Sequence, residues 1–203
     1  TNEFGTVSSG EISTAYKGVE LERTLALINL PELESSIALD VFNVTADNAH
    51  QFDLPLHYKG QLIDTSFELK ASTTQLAALG SKNGYQHLWL KGQAQPQSGL
   101  AKVTWLNDNG RFYTQTSLVK GDESCLFTRI SANDPQFNLR NEYGFIRRVN
   151  AQKQHTFISV LEPHGEYNPS KEYTLEAVSR VSALKFTEQD DLVLVQLSIK
   201  GKS

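Results

Sequence analysis

The chain has 203 residues, 39% of them hydrophobic and 21% charged, enough to bury a real core in one large domain or two small ones. This ordinary globular composition excludes a disordered tail, a collagen-like rod and a coiled coil, and no apolar run reaches the ~18 residues of a membrane helix. A net charge of −4 argues against nucleic acid as a partner, because clustered positive charge supplies most of that affinity.

The first ten residues are polar and small, without the charged start and apolar stretch of a signal peptide. There is no methionine, position 1 included, so the chain reads as a piece of a longer or processed product. Period-two alternation then dominates. It predicts strands at 12–17, 21–28, 37–44, 62–69 and 85–91. The segment 37–44, apolar on both faces, reads as a central strand. Between 69 and 85 the only helical signal is Ser72 to Leu79, with Ser72-Thr73-Thr74 as a cap and Gly80 as a stop. The pair 100–106 and 111–119 makes the clearest hairpin, because Asn107-Asp108-Asn109-Gly110 between them tolerates the positive φ of a tight turn. Further strands are expected at 124–131, 144–150, 155–161, 178–186 and 192–199. Many short strands with Gly, Asn, Asp and Pro between them, and no linker or repeat, predict a single all-β domain over 1–203: an antiparallel β-sandwich.

The single cysteine, Cys125, cannot form an internal disulfide, and its setting in Cys125-Leu126-Phe127 marks it as a small core residue rather than a nucleophile. The histidines at 50, 57, 87, 155 and 164 lack the close HxxxH or HxH spacing of a preformed metal site, so no metal or cofactor is expected. Glu162-Pro163-His164-Gly165-Glu166-Tyr167 gathers two carboxylates, an imidazole and a phenol; acid–base work is conceivable, but an ordinary turn is the favoured reading. The most unusual stretch, residues 127–142, packs two arginines, three asparagines and two acids into what reads as a long loop after a strand. Arginine forks suit carboxylates and asparagines suit sugar hydroxyls, so this is a carboxylated-sugar contact surface or a self-pinning Arg–acid network. Tyr58, Tyr85, Trp89, Trp105 and Tyr113 could instead stack on sugars in a free-standing carbohydrate-binding module, although Trp89 and Trp105 are expected to fill the core.

The segments His50-Gln51-Phe52-Asp53-Leu54-Pro55-Leu56-His57-Tyr58, Asn83-Gly84-Tyr85-Gln86-His87-Leu88-Trp89, residues 127–142 and His155 through Pro169 carry a resemblance. In order and joint spacing they are similar to the C-terminal part of polysaccharide lyase family 17, the oligoalginate lyases of the wider heparinase II/III-like group. The resemblance runs from about Tyr16 onward. It implies the β-sandwich domain of an enzyme whose N-terminal α/α toroid lies outside this chain. Such enzymes cleave uronic-acid polymers by β-elimination, so the implied partners are an alginate-derived oligosaccharide and the toroid, with a homodimer possible. The parent would be a bacterial periplasmic or secreted enzyme. The family's catalytic Asn-His pair, tyrosine and metal site fall in segments before Thr1, so no catalytic residue is expected in this chain, which alone should be inactive. What carries over is the arginine-rich stretch: Arg140, Asn141 and Glu142 as the edge facing substrate, with Arg129 supporting them.

Overall fold

A computed structural model describes residues 3–72, 76–131, 139–189 and 192–201. Alternating side chains and β-branched residues yield antiparallel strands almost throughout. In chain order they are β1 (Gly5–Tyr16), β2 (Val19–Ile28), β3 (Ile37–Lys59), β4 (Gln61–Thr65), β5 (Lys70–Ala71), β6 (Leu88–Ala94), β7 (Gly99–Leu106), β8 (Arg111–Val119), β9 (Ser124–Ser131), β10 (Leu139–Asn168), β11 (Tyr173–Leu175), β12 (Val181–Gln189) and β13 (Leu192–Ile199). Among the described residues the one helical element is a 3-10 turn at Tyr85–His87. The all-β sandwich expected from alternation is what forms.

Two long strands organise it. β3 and β10 pair from Lys59 opposite Glu142 to Ala38 opposite Leu161, with the register slipping between Val149 and Gln154. On one side of that slip β3 and β10 join β1, β2, β8, β7 and β4; on the other they join β9, β6 and β5. The two layers face each other across Val103 and Trp105 from β7 and Cys125, Phe127 and Phe145 from β9 and β10. The opposite face of the β8 layer packs Ile158 and Val160 against Val181 and Leu184 of the β12–β13 hairpin.

The structure departs from the sequence-based expectation in three places. Residues 144–150 and 155–161 are one strand: Asn150-Ala151-Gln152 looks like a turn, yet Ala151 (φ 55°) sits in an irregularity that β10 runs through. Glu162–Tyr167 is not a turn either. It continues β10, pairing with β8 and β11, with Gly165 (φ 50°) at the register shift. A Cβ there would lie 2.3 Å from the carbonyl oxygens of Leu175 and Glu176, so only glycine fits. Finally, Ser72 to Leu79 is not a helix in its described part. Leu90 N–H donates to Ala77 O and Leu79 N–H to Leu88 O, both at 2.9 Å, while Ala78 bridges Trp89. Eight residues are too few to repay helix nucleation, and the backbone of β6 has groups to satisfy. Residues 73–75 lie outside the described part.

One buried cluster is ionic. Arg147 and Glu123 are each 1% exposed. Nε and Nη2 of Arg147 donate to the two Glu123 oxygens at 2.6 and 2.7 Å, while Nη1 and Nη2 reach Ile158 O and Leu118 O at 3.0 and 3.1 Å. His155 Nε2 approaches the same carboxylate at 3.3 Å, and the guanidinium lies 5.1 Å from the Phe157 ring centre. Burial alone would raise the Glu123 carboxyl, but hydrogen bonds from His155 and Arg147 outweigh it and hold it below the usual carboxylate value.

Candidate functional site

The ends of the 127–142 stretch are strand, not loop: Arg129 lies in β9, and Arg140, Asn141 and Glu142 in β10. Residues 132–138, including Asn133, Asp134 and Asn138, lie outside the described part. Antiparallel register brings the named residues to one end of the sandwich. Tyr143 pairs with Arg129 on one side and Tyr58 on the other, and Arg129 pairs with Trp89. Directly opposed residues share a face, so Trp89, Arg129, Tyr143 and Tyr58 form one row across four strands.

Arg129 fixes the start of β10. Its Nε donates to Arg140 O at 2.8 Å and its guanidinium carbon lies 5.8 Å from the Tyr143 ring centre. Arg140 and Asn141 are exposed; Asn141 Nδ2 reaches Asp108 Oδ1 at 3.5 Å, linking the strand to the 107–110 hairpin. Glu142 is half-buried and faces Lys59 Nζ at 3.4 Å. The residues expected at a substrate edge are held in a local network, one of the two readings that composition left open.

Beneath this edge the rings pack in series: Tyr143 stacked on Tyr58 at 5.5 Å, Tyr58 tilted against Trp105 at 5.1 Å, Trp105 stacked on Tyr113 at 5.7 Å. Trp105 is 5% exposed and Tyr58 8%, so neither presents an open ring face to a sugar. Trp89 is half-buried in β6. Burial, reinforced by Tyr143, pushes the Tyr58 phenol far above its ordinary value, leaving it a protonated donor rather than a base. Two adjoining grooves of about 530 and 870 Å³ share Asn107; the first reaches Glu142 and Lys59, the second Asn141 and Tyr167. Hydroxyls, amides, the Lys59 ammonium, the His57 ring and the carboxylates of Asp108 and Glu142 line them, a mixed polar set able to hydrogen-bond a polyol.

The remaining acid–base groups are committed elsewhere. Glu162, 1% exposed, accepts from Ser179 Oγ at 2.6 Å and Arg180 N–H at 3.1 Å, closing the approach to β12. Lys102 beside it bonds to Val181 O; burial lowers its amino group, an effect Glu162 partly offsets. His164 stacks on Phe112 at 6.0 Å. Its Nδ1 lies 2.8 Å from Glu176 O, which can only accept, so Nδ1 carries the hydrogen and Nε2 accepts from Thr114 Oγ1 at 2.8 Å. Cys125 is fully buried, and burial lifts its thiol to about 12. Among the described residues no group of three His, Cys, Asp or Glu side chains is placed to hold a metal.

No family model matches the chain. It is 44% identical over 196 residues to an exo-oligoalginate lyase of Saccharophagus degradans, and 42% identical over 193 residues to an alginate lyase of Stenotrophomonas maltophilia. The chain is similar to part of an alginate lyase. The matches cover 94% and 95% of this chain and 26% of each relative, so it spans about a quarter of the length of the curated relatives it matches.

Arg129 and Arg140–Glu142 stand out in the sequence; Lys59 and Asp108, which contact Glu142 and Asn141 from β3 and the hairpin, do not. The signal was present in the Asn107–Gly110 turn and in Tyr58-Lys59, but which strand lies beside which is set by distant pairing. Lys59 and Glu142 are separated by more than eighty residues.

Proposed function

We propose that this chain is the C-terminal β-sandwich domain of an oligoalginate lyase of polysaccharide lyase family 17, in the heparinase II/III-like group. The observation that carries this reading is sequence identity above 40% to two alginate lyases along nearly the whole chain. The reaction is β-elimination from a uronic-acid chain. A base takes the C5 proton while the glycosidic oxygen leaves with a proton, and neutralising the adjacent carboxylate stabilises the developing enolate-like charge. The groups doing that chemistry belong to an N-terminal α/α toroid outside this chain. Arg140, Asn141 and Glu142, held by Arg129, wall the cleft in which an alginate-derived oligosaccharide lies.

A bare apolar face supports the idea that this domain packs against more protein. Cross-strand pairing places Ile12 with Leu21, Leu25 with Asp40, and Leu27 with Ala38 opposite Leu161. These residues therefore lie on the same side of the sheet as the core between the layers, yet Ile12, Leu25 and Leu27 are 47%, 45% and 52% exposed. The β9 layer does not extend over β1 and β2. A longer lyase chain, through its toroid or through a second subunit, covers this face. Leu25→Glu with Leu27→Glu in the longer enzyme is expected to leave the sandwich folded but to separate it from its neighbour, seen as faster limited proteolysis between the parts. Unchanged proteolysis would place the contact elsewhere.

The free-standing module draws no support from the buried Trp105 and Tyr58. Activity of the isolated 203-residue chain on alginate oligosaccharides would refute the dependence on the toroid.

A further inference from the structure

The end of the sandwich opposite Arg140–Glu142 holds a further concavity that the lyase reading does not use. It lies about 20 Å along β10, by the six residues from Glu142 to Arg148. Its volume is about 780 Å³, within the range of small-molecule sites. One wall is a run with period two: Gln93, Gln95 and Gln97 are exposed while Ala94 and Pro96 between them are buried. Three amides therefore stand on one side of the chain as it leaves β6. Lys70, the cross-strand partner of Gln93, and Arg148 line the same groove, together with the carboxylate of Glu68.

The Arg148 wall is rigid. Its Nε and Nη2 donate to the two Asp53 oxygens at 2.7 Å, and Tyr85 Oη donates to Asp53 at 2.5 Å. The hydrogen bond to Asp53 raises the guanidinium further, and burial followed by Asp53 lifts the Tyr85 phenol to about 12. Both groups thus keep their protons at any ordinary pH and hold one geometry. Lys70 is the second cation of the groove, two residues from Glu68 in the same lining.

Each glutamine side chain carries two N–H donors and a carbonyl acceptor, which matches vicinal hydroxyls that both donate and accept. Three of them, at every second residue as the chain runs past the end of β6, make an amide-lined wall suited to an elongated polyol rather than a compact ion. From this geometry we infer that the groove binds an oligosaccharide, its hydroxyls on Gln93, Gln95 and Gln97 and, for an acidic sugar, a carboxylate on Lys70. That the sugar is a uronate rests on the alginate-lyase reading; the amide wall does not.

The test is a titration of the 15N-labelled chain with an alginate tetrasaccharide and, separately, with cellotetraose, following the glutamine side-chain NH2 signals. The alginate tetrasaccharide is expected to shift the signals of Gln93, Gln95 and Gln97. Gln95→Ala with Gln97→Ala, both at exposed positions, is expected to weaken its binding about tenfold or more, and Lys70→Ala to weaken alginate without touching cellotetraose. Shifts at these glutamines with cellotetraose alone would uphold the groove and overturn the uronate assignment. Binding by neither sugar, or alginate binding that both variants leave unchanged in folded protein, would overturn the groove itself.

Discussion

Arg147→Ala is expected to cost about 3–5 kcal/mol of stability, because it strands the Glu123 carboxylate inside the sandwich. For a chain of this size that lowers Tm by roughly 6–20 °C, read by differential scanning calorimetry. Pairing it as Arg147→Met with Glu123→Leu should recover much of the loss, since the cost lies in the unpaired charge rather than in the lost contact. A Tm within about 2 °C of the parent for Arg147→Ala would mean that water enters the cluster. The same carboxylate sets a pH dependence. Its folded value is depressed, so its contribution is fully present above the unfolded carboxyl value of 4.5 and is lost as pH falls through the lower folded value. Tm should therefore drop more steeply below about pH 4.5 in the parent than in Glu123→Gln, which starts lower and responds less.

The second large effect concerns turnover. In a complete lyase carrying this domain, Arg140→Ala should reduce kcat/KM on alginate oligosaccharides about 10–100-fold, the loss of a hydrogen bond between a guanidinium and a substrate carboxylate. Arg140 is exposed, so its removal should not disturb folding, and an unchanged Tm checks this. Lys59 and Glu142 contact each other at the rim, and Glu142→Ala is expected to act more weakly, through the position of that strand. Unaltered kinetics in folded Arg140→Ala would leave the domain a purely structural support.

The fold was legible where it depends on neighbours in sequence. β9 and β13 match their expected bounds, and the Asn107–Gly110 turn closes β7 and β8, with Asn107 N–H donating to Arg111 O at 2.9 Å. It was not legible where distant chain overrides a local signal. Asn150-Ala151-Gln152 has turn composition, yet pairing with β3 on both sides of it keeps β10 one strand through the irregularity. Ser72 to Leu79 has a helical cap and stop, yet its described end lies extended along β6. The site divides in the same way. Arg129 and Arg140 stood out by composition, and the 107–110 hairpin itself sets Trp105 beside Tyr113, whereas Tyr143 beside Tyr58 needs the distant β3–β10 pairing and Tyr58 against Trp105 needs packing between unpaired strands. Trp105 is buried as its place within a strand predicts, whereas the burial of Tyr58 follows only from the second layer packed over it.

The central claim is that this chain serves an alginate lyase whose chemistry lies outside it. The most direct measurement exchanges it for the matching quarter of the Saccharophagus degradans exo-oligoalginate lyase and follows the ultraviolet absorbance of unsaturated uronate, beside the 203-residue chain alone. The expected result is product from the chimera and none from the isolated chain. Product from the isolated chain at a comparable rate, or a folded chimera that forms none while the parent lyase does, would contradict it.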